Sequence, residues 1–115
     1  MLKTAELMGG SYELHIDEGY PSLYNDRRVN DWMRQVTADL GIETYDYPGP
    51  MGMAGEDFAY MTQKAPGAMF SLGASNGGGA HHQVNFDLDE EALHKGAAVL
   101  AETARRFVLG ELGLE

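Results

Sequence analysis

Cysteine is absent from the 115-residue sequence, and positive charge is scarce. Without cysteine the chain can form no disulfide framework, no thiolate metal site and no cysteine nucleophile. Eight Lys and Arg residues stand against eighteen Asp and Glu residues, which gives a net charge of −10. Basic residues lie side by side only in the pairs Arg27-Arg28 and Arg105-Arg106. We therefore expect no nucleic-acid binding, because that function needs a surface that neutralises phosphates.

Long apolar runs are missing as well. The opening residues, MLKTAELMGG, hold no stretch long enough for a signal peptide or a membrane span. We expect no membrane partner and, by default, a cytoplasmic location. Hydrophobic residues still make up 43% of the chain, enough apolar material for the core of one small domain.

The pattern of apolar residues predicts alternating helices and strands, which is typical of an α/β fold. SYELHID, residues 11–17, alternates apolar and polar side chains as a half-buried strand does, and further strands are predicted at IETYDY and AMFSLGA. Helices are predicted in LKTAEL before Gly9-Gly10, from Asp26 to Leu40, in EDFAYMTQKA before Pro66, and from about Asp89 onward. PGPMGMAG, residues 48–55, is predicted to be a surface loop.

Two of the predicted helices are amphipathic, and we expect their apolar faces to pack against a sheet. In the helix of residues 26–40, Asn25 is predicted to cap the start and Gly41 the end. Its apolar face consists of Val29, Trp32, Met33, Val36 and Leu40. In the last helix, Asp87 and Glu90 have the spacing of a capping box. Its apolar face consists of Leu93, Ala97, Leu100, Ala101, Ala104, Phe107 and Val108.

The stretch GASNGGGAHHQVNFDLDE, residues 73–90, combines glycines with two adjacent histidines. It is not a phosphate loop, because no lysine and hydroxyl follow the glycines. Imidazole is a common metal ligand. Side chains of neighbouring residues in an extended segment point to opposite sides, so at most one of His81 and His82 should reach a given ion. Because a metal site needs three or four ligands, surface histidines in a glycine-rich loop remain the alternative.

A second group of polar residues opens the predicted short helix in GEDFAYM. Glu56 and Asp57 are most simply acids of the first helical turn that interact with backbone N–H groups. The alternative is that one of them forms a polar wall of an active site. Neither can be assigned as a general base without a partner in the same cleft.

Several stretches together resemble the C-terminal part of a family of metal-dependent amidohydrolases and peptidases, which includes aminoacylases, hippurate hydrolases and auxin-conjugate hydrolases. They are EGYPSLYND, GMAGEDFAYM, APGAMFSLGA, HHQVNFDLDEEAL and the closing helix. The resemblance implies a zinc-peptidase-like fold with a partial mixed sheet. It also implies that residues 1–19 end a lid or dimerisation domain and that residues 20–115 belong to the catalytic domain.

The resemblance also implies a site. In this family two metal ions, usually zinc or manganese, activate water for attack on an amide carbonyl, with a glutamate as general base. Counting back four positions from Phe86 matches His82 to the family's late histidine ligand, although Val84 stands where the family has proline. Glu56, Asp57 and His81 match cleft-lining or substrate-binding positions. The early ligands and the paired glutamates of the family are not in this sequence.

Three functions follow as hypotheses. The first is the C-terminal piece of an amidohydrolase acting on small N-acyl amino acids or peptide-like substrates, inactive by itself because most ligands lie elsewhere. The second is a non-catalytic interaction module on the same scaffold. The third is a subunit that complements an N-terminal chain, with a homodimer also possible. For the isolated chain we expect oligomers or poor solubility, since strand edges and apolar surface would be exposed.

Overall fold

The structure is a computed structural model that describes residues 2–46 and 54–113. Most of the predicted loop at residues 48–55, and Tyr47 at the end of a predicted strand, lie outside the described residues. The described part contains the helices α1 (Leu2–Leu7), α2 (Arg27–Asp39), α3 (Phe58–Thr62) and α4 (Glu91–Val108). No helix in these residues is long and apolar enough to cross a membrane.

The ends of α2 are fixed by Asp26 and Gly41. The Asp26 carboxylate accepts hydrogen bonds from the backbone N–H groups of Arg28 and Val29, at 3.0 and 3.3 Å. Gly41 ends the helix with φ +68, a conformation that glycine adopts without strain. The prediction for Gly41 is confirmed, whereas the predicted cap by Asn25 is wrong. The Asn25 amide instead donates to the carbonyl of Met69 at 2.8 Å and accepts from its N–H at 2.9 Å, which ties the start of α2 to a distant segment.

The core lies where α2 packs against α4. Val36 of α2 is fully buried and Val99 of α4 is 3% exposed. The rings of Trp32 and Phe107 meet with centroids 5.8 Å apart, and an ion pair between Asp39 and Arg106 links the same two helices. Among the helices that the structure describes, α2 and α4 are therefore the pair that packs together.

The buried stripe of α4 is not the one that the sequence predicts. Ala92, Gly96, Val99 and Thr103 are buried, whereas every residue of the predicted apolar face is exposed, Leu93 at 51%, Leu100 at 55% and Val108 at 80%. The small residues allow close packing: a Cβ on Gly96 would lie 2.9 Å from Cδ2 of Leu72. The capping-box prediction is also wrong, since Asp89, not Asp87, accepts the N–H of Glu91 at 3.0 Å.

The predicted mixed sheet is not confirmed in the described residues. They contain no strand, and the single β-bridge joins Gly79 to Phe86. In the segment of residues 11–17, every side chain is exposed. A strand requires a hydrogen-bonded neighbour, so alternation alone cannot form one.

The chain is more open than a compact domain of its size. Its radius of gyration is 20.7 Å, against about 13 Å for 115 folded residues. Its accessible surface is 9759 Å², against about 6,200 Å² for a folded monomer of this mass. Many large apolar side chains are therefore in contact with solvent.

Candidate functional site

The histidine loop, residues 76–87, is a sequence of tight turns. The N–H of Gly79 donates to the carbonyl of Asn85 at 3.0 Å, and the N–H of Phe86 donates to the carbonyl of Gln83 at 3.0 Å. A Cβ on Gly79 would overlap with the side-chain amide of Asn85. A side chain at position 79 would therefore have to displace the Asn85 side chain.

Two polar side chains that sequence reasoning missed organise this loop. The Asn76 amide donates to Asp87 at 2.8 Å, and its carbonyl oxygen accepts the N–H of Gly78 at 2.9 Å. The other carboxylate oxygen of Asp87 accepts the N–H of Leu88. Asn beside Gly is a turn signal, because the amide side chain bonds to nearby backbone, so Asn76 could have been found from the sequence.

His82 is presented at the tip of these turns in a left-handed conformation, with φ 63. This conformation is uncommon for residues other than glycine, although histidine adopts it more often than most. His81 packs edge-on against Phe86, with centroids 5.3 Å apart, and its ring lies 6.5 Å from that of His82 at 83°. Both residues are exposed. The segment is a turn and not extended, so the assumption behind our opposite-sides prediction is wrong.

Glu56 and Asp57 have different environments at the start of α3. Glu56 is half-buried, and its Oε1 accepts the N–H of Phe58 at 3.0 Å. Asp57 is exposed and its side chain does not cap the helix. The interaction of Glu56 with the first helical turn agrees with the simpler of the two interpretations of this pair.

Gly55, just before this pair, contacts Tyr20. A Cβ at Gly55 would lie 2.5 Å from Cδ2 of Tyr20, and the Tyr20 ring also packs against Tyr60 with centroids 5.9 Å apart. A side chain at position 55 would displace the tyrosine. The glycine therefore lets the start of α3 pack against residue 20.

The two groups of predicted site residues do not converge into a metal site in the described part of the chain. No group of three or more His, Cys, Asp or Glu side chains there is placed to hold an ion. No hydrogen bond or ion pair between described residues joins Glu56 or Asp57 to His81 or His82. The donor set therefore does not fit a complete metal centre, and these residues could contribute at most part of one.

Most of this chain is similar in sequence to known proteins. The sequence profile of peptidase family M20/M25/M40 matches residues 4–106. An IAA-amino acid hydrolase of Arabidopsis thaliana is 33% identical over 93 residues, which cover 77% of this chain and 20% of that protein. The N-acetyl-L-cysteine deacetylase of Bacillus subtilis is 33% identical over 90 residues, 78% of this chain and 21% of that protein.

A third relative is the N-acetyldiaminopimelate deacetylase of Lacticaseibacillus casei, 35% identical over 81 residues, which cover 70% of this chain and 21% of that protein. The chain thus spans about a fifth of the length of these three relatives. No solved structure matches the chain.

Proposed function

Since the chain belongs to peptidase family M20/M25/M40, we propose that it is the C-terminal portion of a metal-dependent amidohydrolase that cleaves N-acyl amino acids or similar small amides. The observation that carries this proposal is the family match over residues 4–106. Three relatives are named for amino acids with an acyl or auxin group attached. What these substrates share is an amide bond between an acyl group and an amino-acid nitrogen.

His82 supplies one metal ligand in this proposal. Its exposed ring stands at the tip of a loop whose turns are fixed by Gly79, Asn85 and Asn76. His81 is already in contact with Phe86, so it is assigned a cleft-lining role, together with Glu56 and Asp57. The general base and the other ligands come from sequence outside these 115 residues.

A divalent metal, zinc or manganese with two ions in the complete enzyme, would supply the chemistry that activates water for attack on the amide. The role of this chain is to present the His82 imidazole on the hydrogen-bonded histidine loop. One ligand does not bind such ions tightly, so the chain alone is proposed to be inactive. Metal analysis of the purified 115-residue chain should find no stoichiometric zinc or manganese.

The domain assignment belongs to the same proposal. Family membership implies an α/β fold, and we assign residues 20–115 to the catalytic domain with its mixed sheet. Residues 1–19 are assigned to the end of a lid or dimerisation domain. The exposure of residues 11–17 supports this assignment, since their alternating pattern calls for a partner strand. The proposed location is the cytoplasm.

A mixing experiment tests the function. The 115-residue chain is co-expressed with the part of the Bacillus subtilis N-acetyl-L-cysteine deacetylase that lies outside the matched region, and hydrolysis of N-acetyl-L-cysteine is measured with added zinc or manganese. We expect activity only when both polypeptides are present. His82→Ala should abolish it, whereas the control His94→Ala, an exposed histidine on α4, should not.

Other outcomes would favour the alternatives. Restored activity that survives His82→Ala would show that the ligand assignment is wrong. A complex that forms without hydrolysis under any metal would favour a non-catalytic interaction module. Activity that is restored by a natural companion polypeptide encoded separately would identify the chain as a complementing subunit.

A further inference from the structure

The histidine loop contains an asparagine that is followed by glycine, Asn76-Gly77. Asparagine is among the chemically labile residues, because the backbone nitrogen of the next residue can attack its side-chain amide. Glycine in the next position leaves that nitrogen unhindered, since it has no Cβ. Of the four asparagines in the chain, Asn25, Asn30 and Asn85 are followed by aspartate or phenylalanine. Asn76 is therefore where this attack meets the least steric resistance.

The attacking nitrogen at Gly77 is accessible. Asn76, Gly77 and Gly78 are all exposed, so solvent reaches the nitrogen and the side-chain amide. The N–H of Gly77 points to the Ser75 hydroxyl at 3.4 Å, beyond the usual range of about 2.7 to 3.2 Å. Within the part of the chain that the structure describes, it donates to no backbone carbonyl. Its proton can therefore be removed without breaking a strong hydrogen bond.

At the other three asparagines the following nitrogen is engaged. The N–H of the residue after Asn25 donates to the carbonyl of Gly67 at 2.8 Å, and the N–H of the residue after Asn85 donates to the carbonyl of Gln83 at 3.0 Å. Asn30 lies inside α2, where backbone N–H groups bond to the preceding turn. Among the four asparagines, a following glycine and a nitrogen without a backbone acceptor thus coincide only in the histidine loop.

The side-chain amide of Asn76 is also activated for attack. Its Oδ1 accepts the N–H of Gly78 at 2.9 Å, which turns the side chain back towards the intervening peptide group. The same bond places a donor at the oxygen on which negative charge develops when Cγ is attacked, and such a donor stabilises the transition state. The folded loop therefore assists this reaction.

We propose that Asn76 is a site of spontaneous deamidation and that the modification releases the histidine loop. The nitrogen of Gly77 loses its proton to hydroxide and bonds to Cγ of Asn76. The bond between Cγ and Nδ2 breaks, and the amide nitrogen takes a proton from water and leaves as ammonia. Water then opens the cyclic imide at either carbonyl, which gives aspartate or isoaspartate. The net reaction consumes water and releases ammonia, and it needs no oxidant or reductant.

The product places two carboxylates side by side. In the unmodified loop, Nδ2 of Asn76 donates to Oδ2 of Asp87 at 2.8 Å. Deamidation removes this donor and puts a negative charge next to that of Asp87, and like charges at such a distance repel. Isoaspartate also lengthens the backbone. The turns that present His82 therefore loosen. The effect on hydrolysis, though not the modification itself, rests on the proposed function.

Peptide analysis tests the modification. The 115-residue chain is incubated at mildly alkaline pH and digested, and mass spectrometry is combined with chromatographic separation of aspartyl and isoaspartyl peptides. Deamidation should be at least about tenfold faster at Asn76 than at Asn25, Asn30 or Asn85, which corresponds to about 1.4 kcal/mol in activation free energy. An Asn76 amide that stays intact, or equal rates at all of these asparagines, would overturn the proposal.

Two comparisons test the route. The rate at Asn76 in the folded chain should equal or exceed that in guanidinium chloride, and a folded-state rate at least about tenfold lower would refute the assistance by the loop. Gly77→Ala adds a Cβ that meets no atom within 4 Å but shields the nitrogen, and it should slow the reaction at least about tenfold. Because Gly77 has φ +87, this variant is also measured unfolded, where no strain acts. An unchanged rate there would contradict attack by this nitrogen.

Hydrogen exchange tests the release of the loop. Asn76→Asp reproduces the charge, and Asn76→Ser is the matched neutral control. The N–H groups of Gly79 and Phe86 each bond inside the loop at 3.0 Å. Both should exchange at least about threefold faster in Asn76→Asp than in Asn76→Ser. Equal exchange in the two variants would refute release by charge.

The mixing experiment separates this inference from the proposed function. A chain that has been fully converted at Asn76 should restore less hydrolysis of N-acetyl-L-cysteine than a fresh chain. If the fresh chain deamidates at Asn76 but restores no hydrolysis, the proposed function is refuted and the modification site stands. If converted and fresh chains restore equal hydrolysis, the release of the loop is refuted and the proposed function stands.

Discussion

Replacing Val99 by alanine should destabilise the chain more than replacing its neighbour Leu100. Val99 is 3% exposed in the contact between α2 and α4, whereas Leu100 is 55% exposed. The Val99→Ala change removes two buried carbons at about 0.8 kcal/mol each and leaves a small cavity, so we expect a loss of about 2 kcal/mol in the free energy of unfolding.

Leu100→Ala removes three carbons, but less than half of the residue is buried and no cavity forms. The expected cost is therefore about 1 kcal/mol, and the higher helix propensity of alanine offsets a small part of it. The apolar periodicity of the sequence predicts the opposite order. If Leu100 belonged to the core, its truncation would cost about 3 kcal/mol or more.

The assay is urea unfolding followed by the helical circular dichroism signal, for the parent chain and both variants. Because exposed leucines also favour association, the measurement should be made at two protein concentrations and compared at the lower one. A larger loss for Leu100→Ala than for Val99→Ala, independent of concentration, would refute the packing of α4 described above.

Four further predictions concern other parts of the chain. Asp26→Ala removes the cap of α2 and should cost about 1 kcal/mol in urea unfolding, whereas Asp31→Ala, on the exposed side of the same helix, should change stability little. Hydrogen bonds from Arg105 and Arg106 lower the pKa of Glu102 from 4.5 to about 2. Because the folded-state pKa is lowered, this stabilisation is present above pH 4.5 and is lost as the pH falls towards 2, and Glu102→Gln should make stability less dependent on pH in that range. An NMR titration of the Glu102 carboxyl with a midpoint near 4.5 would contradict the pairing. His82→Gly should relieve the strain of the left-handed backbone at φ 63, so its free energy of unfolding should exceed that of His82→Ala by about 1 kcal/mol. Neither variant should support restored hydrolysis. Equal free energies of unfolding for the two variants would argue against the left-handed conformation. Finally, sedimentation of the isolated chain should reveal oligomers or aggregates, given its 9759 Å² of accessible surface, and a clean monomer with a cooperative melt would count against the view that part of the fold lies outside this chain.

Helix positions could be predicted from the sequence because helical hydrogen bonds are local. The predicted helix of residues 26–40 corresponds to Arg27–Asp39, and Gly41 ends it as expected. Capping was less predictable, because Asn25 and Asp26 are both good candidates and only the distant Met69 engages Asn25. The glycines and the resemblance single out the histidine loop in the sequence, whereas the packing of Gly79 against Asn85 depends on the folded loop.

The sequence alone determined the family, the helices and the candidate residues His82, Glu56 and Asp57, because those depend on residue type and on spacing along the chain. Tertiary structure alone decided which side of α4 is buried and whether the predicted strands form in the described part of the chain. Two adjacent stripes of α4 are both apolar enough to pack, and the small residues Ala92 and Gly96 let one of them approach α2 and Leu72 closely. Strands depend on neighbours that no local pattern can supply, so the residues that the structure describes include no strand at the predicted positions 11–17, 42–46 and 68–74.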